Sequence, residues 1–301
     1  MGDLFSILFD VLAPVFLVVA AGYVVGRRFD LDPRPTARIA YYVLVPAFVF
    51  EVLRASDLAG ETVVRMLGVL VVTTVAVAGV AWLVGRGMGR TRSIIVAFVL
   101  VAVFGNVGNV GLAVTIFEFG EDAADLAGVA FLTVNVLAFL IAITAIRWGD
   151  EHPLRAFGAA LATPAVLAVP PAILANATGS ELPVFLDRMV GILAEGLIPI
   201  MLLTLGLQLA ATTQLRLDAD VVAATGLRLI AAPVIAAVAA ALAGLDGDAA
   251  GVTIVMSAMP AAVFAGIVAI EHDLEPEMVT TAVLVSTLAS VATLAVVLAV
   301  V

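Results

Sequence analysis

Gly105-Asn106-Val107-Gly108-Asn109-Val110-Gly111 is a twice-repeated Gly-Asn-Val set inside an apolar run long enough to cross a membrane. Glycine weakens a helix by about 1 kcal/mol relative to alanine, and two side-chain amides at membrane depth need partners that water cannot supply. Non-helical backbone survives at that depth only where it is buried in protein or lines a wet cavity, so the heptapeptide predicts a break in a spanning helix. In transporters such mid-depth breaks hold the substrate.

The rest of the chain supports a membrane setting. Of 301 residues, 63% are hydrophobic and 13% charged, and the mean hydropathy is +1.22, far outside the range of soluble globular domains. The absence of cysteine removes disulfides, metal thiolates and thiol nucleophiles. The opening MGDLFSILFDVLAPVFLVVAAGYVVG has neither a positive n-region nor a small-residue cleavage site, and is expected to be retained as a first span. The formal net charge is −10, and all 14 basic residues are arginine. An acidic, lysine-free surface suits the high-salt cytoplasm of a halophile. A GC-rich genome would equally favour arginine, but explains the acidity less well.

Apolar runs of about 20 residues, the length that crosses a hydrocarbon core of about 30 Å, can be cut at ten places. They lie near 5–26, 36–55, 63–85, 93–118, 123–147, 157–177, 187–211, 219–244, 250–271 and 277–301. Turn signals separate them at Asp30-Leu31-Asp32-Pro33, Gly149-Asp150-Glu151-His152-Pro153, Gly179-Ser180-Glu181-Leu182-Pro183 and Asp246-Gly247-Asp248. The connections after odd-numbered spans hold ten arginines, Arg27, Arg28, Arg34, Arg38, Arg86, Arg90, Arg92, Arg147, Arg155 and Arg216, against Arg54, Arg65 and Arg188 on the other side. Basic residues stay cytoplasmic in short loops, which puts both termini outside a multi-pass protein of the cell membrane. The acidic group Glu271, Asp273, Glu275 and Glu277 then lies inside.

Ten spans divide into five and five, and an odd number per half inverts one half against the other. The expected organisation is a first repeat over 1–148 and a second, inverted repeat over 149–301. Pro46 in YVLVPAF has a counterpart in Pro199 of EGLIPIM at an offset of 153, and the same offset carries Gly105 to Ala258 within Ser257-Ala258-Met259-Pro260. The expected fold is therefore an all-α integral membrane protein of ten helices in two inverted repeats, with helices 4 and 9 broken.

Unwound segments free backbone N–H and C=O groups, and the half-helix that begins after a break carries about half a positive charge at its N-terminus. Asn106 and Asn109 add neutral donors. An anion is expected between the breaks, near Asn106, Gly108, Asn109, Ser257, Met259 and Pro260. The competing reading of the glycines is close helix packing, which favours a spacing of four over the observed three. Arg228, roughly 10–14 Å into span 8 from the inner end at 1.5 Å per residue, either attracts an anion or snorkels to the cytoplasmic surface. Glu195 in span 7 either couples a proton or is a scaffold residue in a wet cavity. Asn135 in span 5 either faces the site or bonds a neighbouring helix. Glu51 and Arg54 read as a surface ion pair, and Ser286, Ser290 and Thr293 as a stripe for helix packing.

The order and spacing of PVFLVVAAGYVVGRR, YYVLVPAFVF, FGNVGNVGLAV, LIPIMLLTLGLQLA, RLIAAPVIAAV and SAMPAAV resemble the auxin efflux carrier family of membrane transporters. The resemblance implies ten helices in two inverted repeats and a scaffold of spans 1, 2, 6 and 7. It further implies a transport unit of spans 3–5 and 8–10, in which spans 4 and 9 are unwound and cross. It also implies a carrier of small organic carboxylates, auxin-like or dicarboxylate, working by an elevator movement. One departure is visible. The family's Gly-Asn-Thr-Gly motif continues into a Gly-Leu-Pro whose proline position falls here on Ala113, and Asn109 takes an apolar position.

Other classes fit less well. An intramembrane enzyme lacks His-Glu-x-x-His, Gly-x-Ser-x-Gly and Gly-x-Gly-Asp motifs, and the two histidines, His152 and His272, fall in loops. A sodium-coupled carrier of the bile acid symporter type shares the expected fold, but needs carboxylate and amide oxygens beside the breaks, where Glu118 is too near the span end. No catalytic residue, cofactor, metal or nucleic-acid partner is indicated. The expected partners are the carboxylate, the bilayer and, in keeping with scaffold-type carriers, a second copy in a symmetric homodimer.

Overall fold

The computed structural model describes residues 7–55, 60–146, 162–179, 182–211 and 217–301. Arg147, Arg155, Arg216, His152, the turn signal at 149–153, Ser180, Glu181 and the expected border between residues 148 and 149 lie outside them.

The described residues form twelve helices and no strand. These are α1 (Ile7–Phe29), α2 (Arg34–Arg54), α3 (Gly60–Gly87), α4 (Arg92–Val103), α5 (Val107–Phe119), α6 (Ala124–Ile146), α7 (Pro164–Thr178), α8 (Val184–Ala211), α9 (Ala219–Leu242), α10 (Gly247–Ser257), α11 (Val263–Glu271) and α12 (Pro276–Leu298). Seven of them, α1, α2, α3, α6, α8, α9 and α12, have 21–28 residues and are apolar enough to cross a membrane. Large apolar side chains on their outer faces stay exposed, as with Leu17 (68%), Leu83 (69%) and Ile192 (71%), which suits a surface that meets lipid. The expected spans 4 and 9 are each two short helices, α4 and α5, then α10 and α11.

Proline shapes the long helices in a repeated way. Wide π turns cover Ile7–Leu12, Ala40–Leu44 and Leu227–Ala231, and in each case the second residue beyond the turn is a proline: Pro14, Pro46 and Pro233. Proline lacks an N–H and its ring collides with the carbonyl four residues back, so the preceding turn opens to a five-residue bond spacing. The N–H groups of Val45 and Ala232 bond the carbonyls of Ala40 and Leu227 in that spacing. In α8 the helix kinks at Gly196, three residues before Pro199.

Helix α1 packs along α8, and α2 packs on α7 and α8. Gly22 and Gly206 make the first of these crossings close: a Cβ on either would collide with the backbone of the other helix, at Leu203 O or Val19 O. Helix α3 lies against α4, α6 and α9, and α12 against α9 and α11. The buried apolar side chains fall into two clusters, one joining α1, α2, α5, α8 and α10, the other built on α4 and α11, with α3, α6, α9 and α12 contributing to both. Phe104 belongs to the second cluster and Val107 to the first, while Met259 belongs to the first and Ala261 to the second. Both interruptions therefore sit at the seam between the clusters, and the chain passes through them in opposite senses.

Candidate functional site

The two breaks satisfy each other. Backbone released from a helix at membrane depth must find new partners. The Asn106 N–H donates to the Pro260 carbonyl at 2.7 Å and the Ala262 N–H to the Phe104 carbonyl at 2.7 Å, forming an isolated antiparallel bridge between Gly105 and Ala261. The Ala261 N–H donates to the Ser286 hydroxyl at 3.1 Å. The second break runs from Ala258 to Ala262 and overlaps the expected Ser257–Pro260. The first break forms without the proline at position 113. Its turn is held by Asn106, whose side-chain oxygen accepts from the Asn109 N–H at 3.3 Å and whose carbonyl accepts from Val110 and Gly111.

Arg228 lies beneath this bridge. Burial leaves it 3% exposed, which corrects the snorkelling reading: the guanidinium does not reach a cytoplasmic surface. Its Nε donates to Met259 O, Nη1 to Ala102 O and Nη2 to Ser257 O, each at 2.7 Å. Ala102 and Ser257 are in the last turns of α4 and α10, where carbonyls lack helical partners and carry about half a negative charge. Two helix C-termini thus compensate one buried cation, and among the described residues no carboxylate pairs with it. The glycines make room: a Cβ at Gly105 would stand 2.7 Å from Nη2, and one at Gly111 2.8 Å from the Met256 sulfur. Close packing, the competing reading of the glycines, is therefore present together with the break.

The expected site residues separate into two groups. Asn106, Asn109, Ser257, Met259 and Pro260 are buried at the joined breaks with Arg228. Asn106 is 2% exposed, and its amide nitrogen has no hydrogen-bond partner among the described residues. Gly108 lies in the wide first turn of α5, Val107–Gly111, against Phe131 of α6 and Met201 of α8. Asn135 is half-buried one turn from Phe131, and its amide donates to the Phe131 carbonyl at 2.7 Å, so the bond to a neighbouring helix is replaced by one within its own. Glu195 is exposed at the α8 kink and shares no hydrogen bond or ion pair with either break. The Glu51–Arg54 pair forms at 2.9 Å, and Arg54 also reaches Asp187 at 2.8 Å, tying α2 to α8.

Ser286 departs from the packing-stripe reading. Its hydroxyl donates to the Val283 carbonyl at 3.0 Å while accepting from Ala261, so it supports the second break, whereas Ser290 and Thr293 bond only their own helix. An aromatic group was also missed: Phe104 meets Phe139 edge-on at 5.1 Å, and Phe139 and Tyr41 meet Phe264 at 5.9 and 6.1 Å. Nothing in the spacing of these four rings, drawn from four separate helical regions, announces the contact. A shallow groove along Val184, Phe185, Arg188, Met189, Ile192 and Leu193 contains none of the expected residues.

Residues 156–298 match the family described as membrane transport protein. Over those residues, just under half of the chain, the protein is similar to that family of membrane transporters. This bears out the resemblance to the auxin efflux carriers, and with the apolar helices it makes the protein a multi-pass membrane protein. Along nearly the whole chain, a protein named "Uncharacterized transporter" from Methanothermobacter thermautotrophicus (strain Delta H) is 26% identical over 296 residues, 95% of each chain. A protein named "Putative malonate transporter" from Rhizobium meliloti (strain 1021) is 23% identical over 293 residues, 93% of this chain and 91% of the relative.

Proposed function

We propose that this transporter is a secondary carrier that binds a small organic carboxylate at the joined breaks and moves it by alternating access of the elevator type. The observation that carries the reading is the Asn106 amide nitrogen, buried and without a partner among the described residues where two helices begin. An unpaired buried donor costs roughly 1–3 kcal/mol, and a carboxylate oxygen would remove that cost. The electrostatics favour the same ligand. The C-termini of α4 and α10 are neutralised by Arg228, while the N-termini of α5 and α11 have no acidic residue in their first turns, leaving a net attraction for an anion.

Because Asn106 and Asn109 are buried, a ligand reaches them only after the scaffold element packed over the break, α8 with Met201, moves away. A scaffold of α1, α2, α7 and α8 supporting a unit of α3–α6 and α9–α12 agrees with the packing of α1 on α8 and α2 on α7. Two inverted repeats and outward termini complete the proposal. The malonate named for one relative makes a three-carbon dicarboxylate the first substrate to try.

The test uses purified protein and a panel of mono- and dicarboxylates that includes malonate. A ligand that binds only the folded state raises apparent stability, so at least one carboxylate should raise the melting temperature saturably. Uptake of that compound into liposomes should be lost in Asn106→Ala and Asn109→Ala variants that remain folded. A panel without any stabilising carboxylate, or full uptake by both variants, would refute the proposal.

A further inference from the structure

Arg228 does more than supply positive charge. Its guanidinium collects main-chain carbonyls from three places, Ala102 at the end of α4, Ser257 at the end of α10 and Met259 inside the second break. Carbonyls freed by helix breaks, together with half-helix C-termini, are the ligands with which carriers of this general construction coordinate a coupling cation. All three distances are 2.7 Å, the short end expected for charge-assisted bonds. The space above the guanidinium is closed as well, because Gly105 lies directly on it.

We propose that the Arg228 guanidinium occupies the carbonyl set that a coupling metal cation would otherwise take, so that the carrier works with a tethered cation and binds no sodium there. The inference rests on the transporter reading for the word coupling, but its geometry does not depend on which anion is carried. A tethered cation fulfils the same electrostatic task in a permanent way: it offsets the two helix C-termini and faces the anion with a positive charge. It differs from sodium in one consequence. The charge stays with the protein throughout the cycle, so the sodium gradient cannot drive accumulation through this site. Two other features agree. Among the described residues no group of three or more carboxylates or histidines is placed to hold a metal ion. Among the same residues Arg228 also has no acidic partner that would mark it as half of a structural ion pair.

The experiment measures melting of the full-length purified protein in sodium chloride and choline chloride at equal ionic strength, with no carboxylate present. The wild type should melt at the same temperature in both salts. Arg228→Ala should melt lower, and millimolar methylguanidinium should raise its melting temperature saturably while leaving the wild type unmoved. Rescue by the missing group restores a cation to the carbonyls, a gain that mere loss of packing would not produce. Arg228→Lys, which keeps an ammonium within reach, provides the second variant should the alanine form not fold, and it should remain insensitive to sodium. A saturable, sodium-specific rise in the wild type or in Arg228→Lys overturns the proposal, as does a folded Arg228→Ala that ignores methylguanidinium. Failure to find a transported carboxylate would leave these melting results standing, so the two readings can fail separately.

Discussion

At the scale of single residues, the three glycines of the heptapeptide have different neighbours and therefore different tolerances. A methyl group at Gly111 would press on the Met256 sulfur and, at 3.2 Å, on Met259 Cγ, both parts of flexible side chains that can turn aside. At Gly105 the obstacle is a guanidinium held by three hydrogen bonds, with Cζ at 3.0 Å from the added carbon. It cannot yield without releasing carbonyls at membrane depth. Overpacking a tight site costs typically about 1–3 kcal/mol, and Gly105→Ala should lie at or above the upper end while Gly111→Ala lies near the lower. Thermal melting of the two variants in detergent decides the matter. Equal losses, or a larger loss at Gly111, would show that Arg228 is not pinned as described.

At the scale of elements, the π turns explain why the first break persists without its proline. In α1, α2 and α9 the proline is the second residue after the wide turn, and in α5 the same position, after the turn Val107–Gly111, is Ala113. The Leu112 N–H bonds the Val107 carbonyl in the wide spacing, as Val45 and Ala232 do with theirs. Asn106, by accepting from Asn109, Val110 and Gly111, holds the turn open where proline would otherwise force it. Position 113 is therefore already shaped for proline. Ala113→Pro should cost well under the roughly 3 kcal/mol of a proline in an ordinary helix interior, and should leave carboxylate binding intact. A drop in stability of that full size would mean that the turn is an ordinary helical one in solution.

At the scale of the whole molecule, what the sequence discloses and what it hides differ in kind. Hydropathy and turn residues place the helices well: expected spans at 63–85 and 123–147 are α3 and α6 to within a few residues, and the glycine-asparagine repeat marks the first break directly. The junction of the breaks is not legible in that way. Its bonds join backbone atoms, Asn106 to Pro260 and Phe104 to Ala262, and backbone groups carry no residue signature. For Arg228 the sequence leaves anion attraction and snorkelling open for the same reason, since its partners are carbonyls 29 to 126 residues away and no nearby acid betrays them. Ser286 likewise looks like any helix-packing serine until the second break is folded onto it.

The elevator proposal makes a claim at this same scale, and the cysteine-free chain allows it to be tried with introduced pairs. A Cβ at Gly128 would stand 3.5 Å from Val52 Cβ, linking α6 to α2, and one at Gly85 would stand 3.4 Å from Ile95 Cβ, linking α3 to α4. The first separation is at the lower edge of the about 3.5–4.5 Å between the Cβ atoms of a disulfide, and the second falls just short of it, so that a small adjustment of the α3–α4 contact admits the bond. The first pair joins the proposed scaffold to the proposed moving unit, whereas the second lies wholly inside the moving unit. Oxidising Val52→Cys/Gly128→Cys should stop carboxylate uptake, and reduction should restore it. Oxidising Gly85→Cys/Ile95→Cys should leave uptake unchanged, because the elements it locks travel together. Uptake that survives a complete α2–α6 cross-link would exclude relative movement of these two helices as the transport step, and with it the division of the molecule into scaffold and carrier at that seam.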